Sequence, residues 1–503
     1  MGAGVGLIDY DGDGRLDIFF TNGALIEAGM KKGKMPNKSD PRFWNRLYRQ
    51  KANSEYEDVT EKAGVKGFGY SFGVAVGDYN KDGHADLLVT NYGGAILYQN
   101  NGNGTFSDVT KQAGIDVDGW AASAGFFDYD RDGRIDLFVT RYVAWDFEKG
   151  SIVCGDSRPG YRSYCHPDNF SGVSSVLFHQ KVDGTFENVS EYAGITKSKG
   201  KSLGVAFADL DDDGWTDIFV ANDNTAQQLF RNLGNGRFED VAITAGVAFD
   251  DKGKAFAGMG IDVADYDSDG QQDIIATAFS GETYPLFRNA ADMLFDYATQ
   301  TSGVAQNTNL GTGWGVKFAD VDNDGKRDLF FVQGHVSDVI EKATDFLKYK
   351  QPSLLLLNTG KGFQNISLAA GALFSVGLSA RGMAAGDLDN DGDTDFVIAQ
   401  TDGSPILLRN NGTKNRWIGV DLRGAKGAAA GENARVTVTG TDGSKQVFDV
   451  SNAGSYLAAN DHRIIAGLGK SAIVRQIQIR WPSGKIQTLE NPAMDIYHSI
   501  REK

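Results

Sequence analysis

The sequence has little proline, little cysteine and no long apolar run. Of its 503 residues, nine are Pro and two are Cys. So few prolines exclude a collagen-like or proline-rich linker protein. No run approaches the ~20 apolar residues of a membrane-spanning helix, so we expect no integral membrane segment. No basic and apolar leader precedes the first motif, which indicates a mature form, a trimmed chain or a fragment.

Positive charge is also scarce. The chain has 50 Lys and Arg against 66 Asp and Glu, which gives a formal net charge of −16. Such a surface repels phosphate backbones and anionic lipid, so we expect no nucleic-acid partner. Hydrophobic residues make up 41% of the chain and exclude disorder as a description of the whole protein. The chain is therefore folded, and its function depends on where in the fold the acidic residues lie.

Much of the acidity lies in one motif, D-x-(D/N)-x-D-G-x-x-D, which occurs seven times at intervals of 50 to 81 residues. We number its positions from the first Asp, so the acidic positions are 1, 3, 5 and 9, and we call each copy an Asp loop. The residues at these positions are Asp9, Asp11, Asp13 and Asp17; Asp78, Asn80, Asp82 and Asp86; Asp128, Asp130, Asp132 and Asp136; Asp209, Asp211, Asp213 and Asp217; Asp265, Asp267, Asp269 and Asp273; Asp320, Asp322, Asp324 and Asp328; and Asp387, Asp389, Asp391 and Asp395.

Each Asp loop sits in the same frame of apolar runs. An apolar run containing Gly precedes the loop, a strand-like run follows it, and two further strands complete the unit. Four short strands per repeat of ~50 residues are typical of a β-propeller blade. The predicted fold is all-β, with a seven-bladed propeller over residues 1–414 and a small β-sandwich-like domain over 415–503. The chain starts too late to supply one outer strand, and we predict that residues 416–422 close the ring.

The Asp loops have the chemistry of a calcium site. Carboxylates at alternating positions of a tight loop converge on one centre, and the Gly at position 6 allows the sharp bend. A flexible set of oxygen ligands suits Ca²⁺ better than Mg²⁺. A single loop of this kind could be a solvated Asx turn. Seven copies with the same spacing favour metal binding instead, and we predict up to seven Ca²⁺ ions per chain.

These motifs resemble a known combination of families. The Asp loops resemble the FG-GAP/VCBS repeats of propellers such as those of integrin α chains. The tail resembles the ASPIC/UnbV domain, which follows such propellers in cartilage acidic protein and in many bacterial secreted proteins. The tail motifs lie at 415–417, 433–438, 454–457, 467–469 and 481–484. The resemblance implies the fold and calcium binding but leaves the function open, since members range from adhesion to accessory roles in secondary metabolism.

The two cysteines, Cys154 and Cys165, are 11 positions apart in a loop-like stretch. Two free thiols remain an alternative, but no core is expected to bury them there, and we favour a disulfide. A disulfide implies an oxidising compartment. We therefore expect a secreted protein, extracellular or periplasmic.

A candidate ligand face is predicted opposite the Asp loops. The long insertions at 23–46, 141–175 and 334–352 all join second to third strands, and variable loops on a rigid scaffold commonly bind ligands. The candidate residues on this face are Arg141, Tyr142, Asn222, Asp223, Asn224, Trp314, His335 and Arg381.

We predict that this face binds a glycan or a protein without catalysis. An enzyme, or an accessory protein with an active site in the same funnel, is the alternative. The G-x-S-x-G match around Ser71 leads into the first strand of a blade and lacks the strand–turn–helix context of a nucleophile elbow. No catalytic residue is predicted.

Overall fold

The computed structural model describes residues 2–27, 29–148, 152, 154–155, 158, 160–424, 431–470 and 473–503. Strands dominate this part of the chain, and its helices are single turns. The α-helical turns are α1 Thr60–Ala63, α2 Thr110–Ala113, α3 Ala242–Ala245, α4 Ala305–Thr308 and α5 Ser367–Ala370. The 3-10 turns are Pro41–Phe43, Pro167–Asn169, Ile195–Lys197, Ile340–Lys342 and Ala372–Ser375. The chain is an all-β protein.

Seven antiparallel sheets in the described ranges carry the Asp loops, and we number them as repeat sheets 1 to 7. Their strands are β1 Val5–Ile8, β2 Asp17–Phe20, β3 Arg46–Gln50 and β4 Tyr56–Asp58; β5 Ser71–Gly77, β6 Asp86–Asn91, β7 Gly94–Asn100 and β8 Phe106–Asp108; β9 Ala121–Phe127, β10 Asp136–Arg141, β13 Val176–Gln180 and β14 Phe186–Asn188; β15 Ser202–Ala208, β16 Asp217–Asn222, β17 Gln228–Asn232 and β18 Phe238–Asp240; β19 Ile261–Ala264, β20 Asp273–Ala276, β21 Leu286–Asn289 and β22 Phe295–Tyr297; β23 Gly313–Ala319, β24 Asp328–Gln333, β25 Leu354–Asn358 and β26 Phe363–Asn365; and β27 Ala380–Gly386, β28 Asp395–Gln400 and β29 Ile406–Leu408. Each Asp loop joins the first two strands of its sheet.

The first strands of the seven sheets lie side by side. Strand β1 contacts β5, the contacts continue through β9, β15, β19 and β23, and β27 contacts β1 again. The order of neighbours therefore closes on itself. Small residues permit this approach: a Cβ added at Gly260 would overlap the carbonyl of Trp314 in the next sheet.

A second set of contacts joins neighbouring sheets near the Asp loops. In each repeat sheet one Asn or Gln donates from its side-chain amide to a backbone carbonyl in the preceding sheet, over 2.8 Å in every case. In sheets 1 to 6 this residue is buried and ends the third strand, and in sheet 7 it is half-buried and lies two residues beyond the third strand. The donor and acceptor pairs are Gln50 to Leu388, Asn100 to Tyr10, Gln180 to Tyr79, Asn232 to Tyr129, Asn289 to Leu210, Asn358 to Tyr266 and Asn410 to Val321. We call these contacts the amide latches. The first latch joins sheet 1 to sheet 7.

The prediction that residues 416–422 close the ring is wrong. They belong to strand β30, Arg416–Arg423, which pairs with β34 and β37 in the C-terminal region. Sheet 1 contains four strands of its own, and sheet 7 has three in the described residues. The side chain of Asn415 donates to the carbonyl of Asp322 over 2.7 Å, which anchors the connection to sheet 6 before β30 begins.

The C-terminal region forms two further sheets around its own core, which contains Val436, Ile477 and Trp481. Their strands are β30 Arg416–Arg423, β34 Ile464–Gly469 and β37 Tyr497–Arg501; and β31 Arg435–Gly440, β32 Lys445–Asp449, β35 Val474–Arg480 and β36 Ile486–Glu490. A short hairpin, β11 Cys154–Gly155 with β12 Arg162–Ser163, lies in the insertion of sheet 3.

A segment of the C-terminal region, residues 452–461, enters the space between the first strands, and we call it the central segment. Its strand β33, Ala458–Ala459, pairs in parallel with β1. The side chain of Asn452 donates to the carbonyl of Val76 over 2.7 Å, and Ser455 exchanges backbone hydrogen bonds with Ile261. The central segment thereby joins the C-terminal region to several repeat sheets.

Candidate metal loops and candidate ligand cavity

Each Asp loop is folded by its own carboxylates. In the fifth loop, the position-1 carboxylate of Asp265 accepts from the backbone N–H groups of Asp269 and Gly270, over 3.1 and 3.0 Å. The Gly at position 6 has a positive φ in all seven loops, between 82° and 94°. Glycine adopts this conformation without the steric cost of a Cβ. The repeated sequence therefore builds the repeated turn locally.

The position-9 carboxylates connect each loop to its third strand. Asp273 accepts from the N–H of Tyr266 in the loop over 3.0 Å and from the N–H of Asn289 in β21 over 2.8 Å. The corresponding pairs of bonds occur in the other six sheets. The side chain of the same Asn or Gln forms the amide latch, so each Asp loop is linked through this residue to the preceding sheet. Apart from the recurrence of the amide residues, no sequence pattern indicated this second role.

The carboxylates of the loops are crowded and buried. Burial, reinforced by the neighbouring carboxylates, raises the pKa of Asp17, Asp86, Asp273 and Asp328 to about 8 each. Four loop residues also keep a buried carboxylate oxygen without a hydrogen-bond partner among the described residues; they are Asp11, Asp128, Asp209 and Asp389. A divalent cation would neutralise these groups. The donor set, which is almost entirely carboxylate oxygen, fits a hard cation such as Ca²⁺.

Several loops bring at least three candidate ligand atoms within 4.8 Å of one another. Such groups include Asp9, Asp11 and Asp13; Asp128, Asp130 and Asp136; Asp209, Asp211 and Asp217; and Asp265, Asp267 and Asp269. The structure thus places the predicted ligands of these loops together. Calcium as their ion stays a prediction.

The C-terminal region lies on the face that carries the Asp loops. Arg480 donates to the Oδ2 atom of Asp209 over 2.5 Å, and Arg435 donates to the backbone carbonyl of the same residue over 2.6 Å. The hydroxyl of Tyr497, which also belongs to the C-terminal region, donates to Asp387 in the loop of sheet 7 over 2.8 Å. These side chains contact the position-1 carboxylates of the fourth and seventh loops. The sequence motifs of the tail did not indicate which face it would cover.

The opposite face holds a cavity of about 1,040 Å³. Aromatic rings form much of its wall; they are those of Trp120, Tyr142, Trp145, Tyr161, Tyr164, Phe170, Phe279, Trp314 and Tyr349. Cys154 and Cys165 form a disulfide beside it, with Cα atoms 5.1 Å apart, and Gly155 and Cys165 line the cavity. All three long insertions were predicted to share this face, and those of sheets 3 and 6 border the cavity.

Five of the eight candidate ligand-face residues line the cavity: Tyr142, Asp223, Asn224, Trp314 and His335. The hydroxyl of Tyr142 donates to Asp223 over 2.6 Å. Burial raises the pKa of Asp223 to about 6, and the bond from Tyr142 and the charge of Lys201 limit the rise. Burial also lowers the pKa of His335, whose Nδ1 accepts from the N–H of Ser337 over 3.0 Å. The cavity thus combines an apolar wall with an acid and a neutral imidazole.

The other three candidates do not line the cavity. Arg141 forms an ion pair with Asp118 and donates to the carbonyl of Ser174 over 2.7 Å. Asn222 is fully buried, and its amide braces the turn after β16 through the carbonyl of Ala226. Arg381 lies behind the wall, with its guanidinium 4.2 Å from the ring centroid of Trp314. These side chains support the cavity from outside.

The serine of the G-x-S-x-G match has no surface exposed to solvent. Lys38 donates to its hydroxyl over 3.1 Å and also to the carbonyls of Asn22 and Gly23, over 2.5 and 2.9 Å. Burial lowers the pKa of Lys38 to about 7. Because Ser71 is inaccessible and Lys38 is held by three acceptors, this pair braces the first insertion.

Comparison with known families identifies the two parts of the chain. The family described as FG-GAP-like repeat matches residues 9–89, 78–139, 166–220 and 209–276, and the family described as ASPIC and UnbV matches 424–503. The chain contains FG-GAP-like repeats and a C-terminal ASPIC and UnbV domain. The resemblance drawn from the Asp loops and the tail motifs is therefore confirmed.

Cartilage acidic protein 1 is homologous to this FG-GAP and ASPIC/UnbV chain. The Xenopus tropicalis protein is 26% identical over 314 residues, which cover 60% of this chain and 44% of that protein. The human protein is 25% identical over 325 residues, which cover 63% and 46%. The chain thus spans less than half the length of these relatives.

Two lectins are among the similar solved structures. The BP39L lectin of Burkholderia pseudomallei has a TM-score of 0.48 at 9% identity, covering 81% of this chain and 95% of the lectin. A lectin of Agrocybe aegerita that recognises non-reducing terminal N-acetylglucosamine has a TM-score of 0.42 at 16% identity, covering 73% and 88%. Similarity at this level carries no argument about a ligand. Within the described ranges, no helix is long and apolar enough to cross a bilayer.

Proposed function

We propose that this chain is a secreted, calcium-loaded, seven-bladed β-propeller that binds a glycan or protein ligand without catalysis. The aromatic cavity opposite the Asp loops carries the proposal. Of the two ligand classes the cavity favours a glycan, because aromatic rings pack against the C–H faces of sugars while a few polar groups orient the hydroxyls. Asp223, Asn224 and His335 supply those polar groups.

Three further observations support the propeller and its setting. The cyclic contacts of the first strands and the amide latches support a ring of seven blades. The crowded carboxylates, four of which have a buried oxygen without a hydrogen-bond partner among the described residues, support calcium binding in the Asp loops. The disulfide between Cys154 and Cys165 supports an oxidising compartment outside the cytosol. The proposed location, extracellular or periplasmic, rests on this last point.

One observation favours an enzyme as the second candidate. Asp223 is a buried acid with a raised pKa in a large cavity, and such groups recur in active sites. The carboxyl of Asp223 would itself take or give the proton, and the hydroxyl of Tyr142 would hold it in position. A catalytic site would need Asp223 for turnover, whereas a binding site would need the aromatic wall.

The test is a screen of the calcium-loaded protein on immobilised glycans, followed by calorimetry with the oligosaccharide that binds. Trp145→Ala removes part of the wall and should weaken binding by about 5-fold or more, since burial of an aromatic side chain contributes roughly 1–3 kcal/mol. Tyr192→Ala, at an exposed tyrosine outside the cavity, is the matched control and should bind normally. Equal affinity of both variants would place the ligand elsewhere. Product formation that Asp223→Asn abolishes would favour the enzyme.

A further inference from the structure

The third Asp loop differs from the others in the residue that its sheet places opposite position 9. In each repeat sheet, the second and third strands pair as far as position 10 of the motif, and continuing this antiparallel register by one residue sets one residue at or just beyond the end of the third strand against the position-9 Asp. That residue is Arg49, Gln99, His179, Arg231, Arg288, Leu357 or Arg409, in sheets 1 to 7 respectively. Sheet 3 alone has a histidine at this position.

The four arginines act as tethered cations on the carboxylates of their loops. Arg49 lies 2.6 Å from Asp11, Arg231 lies 2.6 Å from Asp211, Arg288 lies 2.7 Å from Asp267 and Arg409 lies 3.0 Å from Asp389. A guanidinium stays protonated and cannot ligate a metal. At these four loops the third strand contributes charge, and any ion must be held by oxygen atoms.

His179 offers a nitrogen ligand in the same place. Its Nδ1 lies 3.4 Å from an oxygen of Asp130 and 3.2 Å from an oxygen of Asp136, and its Nε2 lies 3.8 Å from an oxygen of Asp132. The ring nitrogen and the oxygens of Asp130 and Asp132 fall within a single 4.8 Å group. These separations bring an imidazole nitrogen and carboxylate oxygens around one centre.

A second observation points to a ligand at the same centre. Asp128, at position 1, is 6% exposed, and its Oδ1 atom is buried without a hydrogen-bond partner among the described residues. Oxygens of Asp128, Asp130 and Asp136 form another 4.8 Å group. An unpaired carboxylate oxygen at such depth is costly unless it binds a proton or a cation. Position 1 therefore contributes a further free acceptor to the site that His179 faces.

We propose that the third Asp loop binds a divalent transition-metal ion, with Zn²⁺ as the representative, through His179 together with Asp128 and Asp130. Zn²⁺ accepts imidazole nitrogen and carboxylate oxygen together, whereas Ca²⁺ takes oxygen ligands. Imidazole ligands shift a site toward Zn²⁺ and its neighbours in the transition series. This proposal rests on the proposed function in one respect, namely that the Asp loops bind metal ions. It does not require that the other six loops bind Ca²⁺.

The test measures which metals stay bound. The protein is stripped with EDTA, reloaded with excess Ca²⁺ and a small excess of Zn²⁺, and dialysed against Ca²⁺ alone. Elemental analysis should find one Zn²⁺ per chain in the wild type, because a mixed nitrogen and oxygen site holds Zn²⁺ against Ca²⁺. His179→Arg, which installs the residue of four other sheets, should lose that Zn²⁺ and keep the Ca²⁺ of the other loops. His179→Gln, which installs the residue of sheet 2, should behave likewise.

His84→Arg is the matched control, because His84 occupies position 7 of the second loop, where the backbone rather than the side chain is expected to face the ion. It should retain the Zn²⁺. Co²⁺ gives an independent readout, since the visible absorption of the Co²⁺-loaded wild type should be lost in His179→Arg. Equal Zn²⁺ in the wild type and in His179→Arg, or no Zn²⁺ in either, would overturn the proposal. A chain that holds Zn²⁺ but no Ca²⁺ would contradict the calcium role and leave this site standing.

Discussion

The two faces of the repeat sheets are built in different ways. On the Asp-loop face, one short motif recurs seven times, and local carboxylate-to-backbone bonds fold each copy. On the cavity face, no motif recurs, and the wall combines residues of sheets 3 to 6 with two long insertions. The repeated motif therefore identifies the face whose functional side chains lie close together in the sequence. The other face depends on residues that are distant in sequence and are brought together by the ring.

Removal of divalent metal should have the largest effect on stability. It changes the Asp-loop face and leaves the cavity face intact. EDTA should lower the Tm by at least about 10 °C, since several bound ions each stabilise the folded chain. Ca²⁺ should restore the Tm, and Mg²⁺ should not. Differential scanning fluorimetry measures the shift, and Trp145→Ala serves as a cavity-face control that should respond to EDTA in the same way. An unchanged Tm would remove the distinction between the faces.

The metal-free protein should also have a characteristic pH dependence. The pKa of Asp17, Asp86, Asp273 and Asp328 is about 8 in the folded chain, well above the ~3.9 of an unfolded chain. Such acids stabilise the fold fully when the pH is below ~4, and the contribution is lost as the pH rises through about 8. The metal-free Tm should therefore fall between pH 5 and pH 8. Saturating Ca²⁺ should abolish the fall, because it binds the ionised carboxylates.

Removal of one aromatic side chain from the central segment tests the connection between the two faces. Tyr456 is 1% exposed, and its ring centroid lies 4.8 Å from that of Trp314 in the cavity wall. Tyr456→Ala should lower the free energy of unfolding by about 3–5 kcal/mol, as for other buried aromatic residues, and should weaken ligand binding as the wall relaxes. Chemical denaturation measures the loss. The exposed Ile473→Ala is the control in the same region; a loss no larger than that of the control would show that the segment is peripheral.

An amide latch on the Asp-loop face should give a smaller effect. Asn100 is fully buried, and its side chain donates to the carbonyls of Tyr10 and Ala85, over 2.8 and 3.0 Å. Asn100→Ala should cost about 2–3 kcal/mol, because it leaves buried carbonyls unpaired. The adjacent Asn101→Ala removes an exposed amide and should cost less than ~0.5 kcal/mol. Equal midpoints of urea unfolding for the two variants would show that the latches do not hold neighbouring sheets together.

The sequence predicted the parts of the molecule that follow from local patterns. Seven loops with the same spacing predicted seven similar sheets, and Gly at position 6 predicted the bend that its positive φ shows. The tail motifs predicted the ASPIC/UnbV domain that the family comparison confirms. Of the candidate ligand face, Tyr142, Asp223 and Trp314 line the cavity as part of the predicted group.

The parts that the sequence did not reveal depend on contacts between distant residues. Residues 416–422 have the pattern of a propeller strand, but pairing with β34 and β37 places them in the C-terminal region. Asn289 ends a third strand, and no local pattern predicts that its side-chain amide donates to the carbonyl of Leu210 in the preceding sheet. Arg381 was predicted as a ligand-face residue, but its guanidinium stacks behind Trp314 instead of facing the cavity. The alternation of apolar and polar residues predicts that a segment is a strand, whereas the whole fold decides which strand it pairs with.

By itself, the sequence determined the all-β class, the repeat and the carboxylate sets of the Asp loops, because each of these depends on residues within about ten positions of one another. Only the tertiary structure decided how sheet 7 meets sheet 1, which face the C-terminal region covers, and which aromatic rings share a cavity. It also placed His179 against the third loop from 43 residues beyond position 9. Such placements depend on the packing of complete sheets, and no local pattern encodes them.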